Sequence, residues 1–428
     1  MSDLGALASL LAAAESAAPV DAVNAITREM GVRLRALEVS FLVADISGRA
    51  LVELAHVPLA GSAPAPATVP GGEHRAHGEE SARRLMFDGG PMERVVRSQQ
   101  RVVLSPTEPS DAAGWTVLAP VTERGEVVGV LELRMPHEPG DDDIETIATL
   151  AHLLAFVVIA NRRHTDLFEW GQRSRPLSLS AEIQQRLLPG PRTCEAASFT
   201  LSAWLEPAAT IAGDTFDYSL ARDALHVSMS DAMGHGVAAA LTATLCVGAL
   251  RGARRRGRSL VLQASDANTA ILEHGADSRL DDFVTGLVGR MDLRSGVMSL
   301  LNAGHVPPYL SRGGEVAAVS LPPNLPFGMF PDSAYEVVDL QLEPGDRLVL
   351  VTDGMLERNA GAIDLPGAIR ESASLHPREA TAALADSVLA ATGDALTDDA
   401  TVLCLDWYGR HGRDRSAEGG ADLSRASS

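Results

Sequence analysis

Residues 347–358 read RLVLVTDGMLER: four apolar residues, 348–351, run straight into Thr352, Asp353 and Gly354 before a new apolar pattern begins. A short apolar run rich in β-branched residues and closed by glycine reads as a strand covered on both faces. An acid left at the tip of such a strand is either a turn residue or a ligand.

The same arrangement recurs in the second half of the chain. In ATIAGDTFDYS, Asp214 and Asp217 follow an apolar run and a glycine. In LHVSMSDAMGHGVAAALTATL an alternating strand (Leu225, Val227, Met229) ends at Asp231, and Gly234 and Gly236 open an Ala-rich helix. In GDALTDDATVLCLDW, Asp398 and Asp399 stand immediately before the strand ATVLCL. Turns favour Asp for local hydrogen-bonding reasons, so one such residue means little. Acids at four strand ends ask for a common cause. Carboxylates gathered in one cleft repel one another and hold protons unless cations neutralise them. An all-oxygen donor set with waters suits Mg²⁺ or Mn²⁺, whereas zinc would call for His or Cys.

Composition narrows the function. The 428 residues allow two or more domains, and 46% hydrophobic with 21% charged residues describes a globular chain. A formal net charge of −20 disfavours nucleic acid or an anionic membrane as main partner. There is no lysine, so all 36 basic residues are arginines. That removes the P-loop lysine, the Schiff-base lysine and the kinase strand lysine together. Cys194, Cys246 and Cys404 lie far apart in core or strand contexts, implying a reducing compartment and no zinc knuckle. The N-terminus lacks a basic region before its apolar stretch, and the longest apolar run, LLAFVVIA at 153–160, is short for a bilayer. These features lead us to expect a cytoplasmic protein.

In the first half, VSFLVADISGRALVEL and WTVLAPVTERGEVVGVLELRM each read as a hairpin. A Pro/Gly-rich stretch, GSAPAPATVPGGEHRAHGEES, separates them; loops of that size are functional or disordered. After HEPGDDD, a helix from about Ile144 to Arg163 carries acids in its first turn and arginines in its last. This order resembles a GAF domain, a small sensory module, over residues 1–165. No cysteine precedes 194, so no bilin attachment follows, and His56, His74, His77, His137, His152 and His164 show no metal spacing. SAEIQQRLLPGP predicts a linker helix within 166–194, a candidate lever or dimer coil. The polar, Gly/Ser-rich 409–428 reads as a disordered tail.

Across 195–408 the acid-bearing stretches resemble, in order, the motifs of SpoIIE-type phosphatases of the metal-dependent PPM superfamily. AGDTFD matches GGDxxD, DAMGHG matches DxxGHG, and NAGHVPPYL at 302–310 matches AGHPP; VTDGMLER and TDDATVL match the last two motifs. The resemblance implies an α+β protein: a GAF-like α/β sensor followed by a sandwich of two antiparallel sheets flanked by helices. It implies two divalent ions, Mn²⁺ or Mg²⁺, with Asp231 bridging them, the Ala232 carbonyl on one, and Asp353 and Asp398 on the second. Asp214 would reach a metal directly or through water; Asp217 and Asp399 stay open as alternatives. Asp231 and Asp353 would act through a metal-activated water on phosphoserine or phosphothreonine. On this reading a metal compensates a buried Asp353, whose burial would otherwise cost roughly several kcal/mol or force protonation.

Ala212 stands where the motif has its first glycine, and His235 and His305 are read as structural. RGARRRGR at 251–258 reads as a solvated loop rather than a nucleic-acid patch. The resemblance further implies a phosphorylated anti-anti-sigma protein of STAS fold as substrate, an unidentified sensor ligand or partner, and a homodimer. The rival reading is a catalytically silent module that binds a phosphoprotein.

Overall fold

A computed structural model describes residues 3–59, 73–77, 80–106, 114–173, 176–206, 213–278, 282–356, 364–392, 396, 398–412 and 417–423. The chain divides into two compact units, Met1–Pro176 with Ser416–Ser428, and Leu177–Arg415.

The first unit begins with α1 (Asp3–Ser16) and α2 (Ala22–Leu34). The first expected hairpin follows as β1 (Glu38–Ala44) and β2 (Ala50–Pro58). Part of the Pro/Gly-rich stretch lies outside the described residues; the rest forms β3 (Glu73–His77) and the start of β4 (Glu80–Met86) rather than loop. Then come α3 (Pro91–Ser98), β5 (Val102–Leu104), the second hairpin of β6 (Trp115–Glu123) and β7 (Glu126–Met135), α4 (Asp141–Asn161) and α5 (Leu167–Gln172). The seven strands form one antiparallel sheet in the order β3-β4-β2-β1-β7-β6-β5. Alternate strand residues feed two cores: Phe41 and Val43 share one with Leu10 of α1, Ile26 and Met30 of α2 and Leu154 of α4, while Leu42 packs with Val95 of α3.

The second unit opens with α6 (Leu179–Leu187), so the stretch expected to be one linker helix is two helices assigned to different units. Ser180, Ala181 and Gln184 of α6 are buried, which a free lever would not require. One sheet holds β10 (Asp214–Leu220), β11 (Ala224–Ala232), β12 (Val284–Asp292), β13 (Val297–Ala303) and β16 (Val338–Gln341) in that order. The other runs β15 (Glu315–Ala318), β14 (Tyr309–Arg312), β17 (Arg347–Val351), β18 (Ala400–Trp407), β9 (Phe199–Glu206), β8 (Thr193–Glu195). Phe216, Met229, Leu348, Leu350, Leu403 and Leu405 pack between the sheets. Outside them lie α7 (Gly236–Arg255) and α8 (Leu260–Ser278) on one side, and α9 (Leu365–Glu371) and α10 (Pro377–Thr392) on the other. The unbroken apolar run of β17 is thereby explained: Leu348 and Leu350 face the inter-sheet core, Val349 and Val351 the outer helices.

Two expectations change. Within 409–428, residues Ala417–Glu418 (β19) and Ala421–Asp422 (β20) pair as a small hairpin, because Gly419 and Gly420 close a tight turn and Ala421 and Asp422 find a buried seat. Also, the 153–160 run understates its helix: Asp141–His164 and Gly236–Arg255 are long and apolar enough to cross a membrane by length and composition. Each instead lays a buried stripe in a hydrophobic core, Leu150, Leu154 and Val158 in α4, Ala239, Cys246 and Leu250 in α7.

Candidate active site

The acids gather at one end of the sandwich because four strands end there in register. Asp214 opens β10 opposite Asp231 near the end of β11, which puts their Cα atoms about 4.5–5.5 Å apart. From the other sheet, β17 delivers Thr352 and then a 3₁₀ turn at Asp353–Met355, beside Asp398 and Asp399 where β18 begins. The sheets are stitched across this end: Thr352 and Thr401 both donate their hydroxyls to Asp214 Oδ2, at 2.7 and 2.6 Å. Thr401 N–H in turn donates to Thr352 Oγ1 at 3.0 Å.

Two glycines permit the crowding. A Cβ on Gly354 would lie 2.0 Å from the Asp399 carbonyl oxygen, so only glycine lets the β17 and β18 ends press together. A Cβ on Gly213 would lie 2.6 Å from the Ala232 carbonyl oxygen and 3.2 Å from Asp231 Oδ1. Its absence leaves room around the two oxygens that the motif assigns to metal.

The electrostatics are those of buried carboxylates facing one another. Burial, then the charges of Asp353, Asp398 and Asp399, push the Asp231 carboxyl up to about 7. Asp214 is raised well above the carboxylate range by burial, then by Asp231 and Asp399, against the lowering hydrogen bonds of Thr401 and Thr352. As it stands, no set of three or more His, Cys, Asp or Glu among the described residues is arranged to hold a metal ion. Mutually repelling carboxylates do not close on one another without positive charge. The donors that the resemblance implies, Asp231, Asp353, Asp398 and the Ala232 carbonyl, are all oxygen, which fits a hard divalent ion.

Asp353 corrects an expectation. Its strand is buried, but its carboxylate is exposed, and the residue with no accessible surface is Thr352. Within the cluster, the carboxyl groups taken out of water are those of Asp214 and Asp399. Of the two alternatives, Asp399 belongs to the cluster: it is fully buried and accepts a 2.5 Å hydrogen bond from Gln184 Nε2. Asp217 does not. It takes Arg251 and Arg254 on its two oxygens at 2.8 Å each. RGARRRGR is not the expected loop throughout: its first five residues end α7, where Arg251 and Arg254 face Asp217, and Arg256 and Arg258 beyond it bind Asp266. His235 is the exposed, extended residue before α7, between Gly234 and Gly236 at φ +97 and +70. His305 is buried in the turn after β13, where its N–H donates to Asn302 Oδ1 and Nδ1 meets Thr285 Oγ1; burial lowers it to about 4. Ala212 lies outside the described residues.

Sequence reasoning missed Thr352, Thr401 and Gln184. The threonines adjoin acids already singled out. Gln184, which also donates to the Asp214 carbonyl at 2.9 Å, sits in a stretch that signalled only a helix.

The family profile described as Stage II sporulation protein E (SpoIIE) matches residues 221–408. Residues 221–408 form a SpoIIE-type phosphatase domain. Asp231, Asp353 and Asp398 fall inside the matched segment, and Asp214 lies just before it. The domain is similar to phosphoserine phosphatase RsbU of Bacillus subtilis, 25% identical over 54% of this chain and 69% of that protein. Protein IcfG of Synechocystis is 28% identical over 42% of this chain, but the match spans only 32% of its length. Among solved structures, the phosphatase domain and regulatory fragment of Bacillus subtilis SpoIIE matches at 22% identity with a TM-score of 0.43, over 50% of this chain and 65% of that one. The RsbU and RsbW domains of Rv1364c from Mycobacterium tuberculosis match at 24% with a TM-score of 0.42, over 51% and 62%.

Proposed function

We propose that the chain is a sensor-regulated, metal-dependent protein phosphatase acting on phosphoserine or phosphothreonine. The observation that carries this is the meeting of acids from four strand ends, Asp214, Asp231, Asp353 and Asp398–Asp399, inside a SpoIIE-type domain. Asp231, the Ala232 carbonyl, Asp353 and Asp398 would hold two divalent ions, Mn²⁺ or Mg²⁺. When bound, such ions supply a water acidified to near neutrality and positive charge against the phosphoryl oxygens.

The protein's own part is placement. Thr352 and Thr401 hold Asp214 in line behind Asp231, Gln184 holds Asp399, and the exposed Asp353 presents its carboxylate at the open side where a phosphate would arrive. No side chain is needed as nucleophile. The substrate fitting this reading is a phosphorylated anti-anti-sigma-like protein in a partner-switching pathway in the cytoplasm, with the first unit as sensor and the chain as a homodimer.

The test is phosphate release from a phosphoserine peptide or a phosphorylated STAS protein with Mn²⁺ or Mg²⁺, with EDTA, and with Asp353→Asn. Release that both controls abolish is the expected result. Release untouched by EDTA would sink the metal reading, and binding of the phosphoprotein without turnover would favour a silent docking module.

A further inference from the structure

The feature that the catalytic reading does not absorb is the C-terminal segment. Its composition is that of a disordered tail, yet Ala421 and Asp422 are buried, 1% and 3% exposed. It occupies a defined place on the first unit: Gly125 N–H donates to the Gly420 carbonyl at 3.0 Å.

That place is shaped for it. The β6–β7 strand pair shifts register between Val121 and Thr122, and Arg124 and Gly125 turn it with φ +47 and +78. A bulge and a two-residue turn of this kind leave backbone groups facing outward. Behind them the floor is polar but satisfied: Thr122 donates its hydroxyl to Gln99 Oε1, and His152 of α4 meets the Thr122 carbonyl at 2.7 Å. Gly420, at φ +94, rests on this floor so closely that a Cβ would lie 2.3 Å from the Thr122 oxygen and 2.5 Å from His152 Nδ1. No other residue fits. Around it a crevice is lined by Gln99, Arg101, Pro120, Ala148, Gly419 and Leu423.

We propose that this face of the sensor unit is a peptide-recognition site, filled in cis by the Gly419–Gly420 hairpin of the chain's own tail. The tail follows β18, the strand that begins beside Asp399, with no other regular element between them among the described residues. Any peptide that takes the same face must displace it, so the site can convert binding at the sensor into release of the segment that continues the catalytic unit's last strand.

The test uses the full chain, its Gly420→Val and Ala421→Arg variants, and a fluorescein-labelled peptide of residues 413–428. Hydrogen exchange at Gly125 should be slow in the parent chain and about tenfold faster in either variant, the worth of one backbone hydrogen bond. The labelled peptide should bind the variants saturably and the parent chain far more weakly, because its own tail holds the site. Equal exchange at Gly125 in all three chains, or no peptide binding to both variants, overturns the proposal. Neither readout depends on phosphatase activity.

Discussion

Asp214 and Asp217 lie on one strand, are 2% and 4% exposed, and have opposite fates. Their odd spacing sends them to opposite faces of β10. Asp217 faces outward to α7, where Arg251 and Arg254, one helical turn apart, take both its oxygens. Asp214 shares the inner face with Phe216; among the described residues its carboxylate accepts from Thr352 and Thr401 and faces Asp231 and Asp399. A buried carboxylate with fixed cations is a finished structural joint. One given hydroxyls and like charges is incomplete until a cation arrives from solution.

The largest expected effect follows from that incompleteness. Asp231→Asn should cut phosphate release by about 10²- to 10³-fold or more, a loss typical of removing one preorganised electrostatic group, while Asp217→Asn retains the activity of whatever fraction is folded. Steady-state rates normalised to folded protein read both. Next, Asp217→Ala strands two half-buried guanidinium groups and should cost roughly 3 kcal/mol in urea unfolding. Asp231→Asn in EDTA should instead stabilise the protein, because it removes repulsion.

The metal-free protein should also carry a pH signature that the metal-bound one lacks. Asp231 is raised from 3.8 to about 7 in the folded state, so the folded chain keeps a proton that the unfolded chain gives up. This contribution to stability is complete below about pH 4, the usual carboxylate range, and is lost as pH rises towards 7. Thermal unfolding in EDTA should therefore weaken over that window, and saturating Mn²⁺ should flatten the curve. A smaller effect is expected of Thr352→Val, which deletes one hydrogen bond to Asp214 and should weaken metal binding about 10- to 100-fold.

The contrast also shows what the sequence discloses. The apolar runs of β17 and β18 and the glycines beside the acids reveal strands that end in acids, whereas the sandwich that gathers them is implied by the resemblance of five motifs taken in order. The exposure of Asp353 is not legible, because it depends on which residue the opposing sheet covers. Nor is the pairing of Asp217, since Arg251 and Arg254 are more than thirty residues away in sequence, at separations of 34 and 37. Gln184 and the tail hairpin escape for the same reason: each is fixed by a partner distant along the chain, and composition alone favoured linker and disorder.

The most direct test of the account is calorimetric titration of Mn²⁺ into the chelator-stripped chain and its Asp231→Asn and Asp217→Asn variants. The account predicts binding by the parent and by Asp217→Asn, and none by Asp231→Asn. Binding that survives in Asp231→Asn, or that disappears in a folded Asp217→Asn, would contradict it.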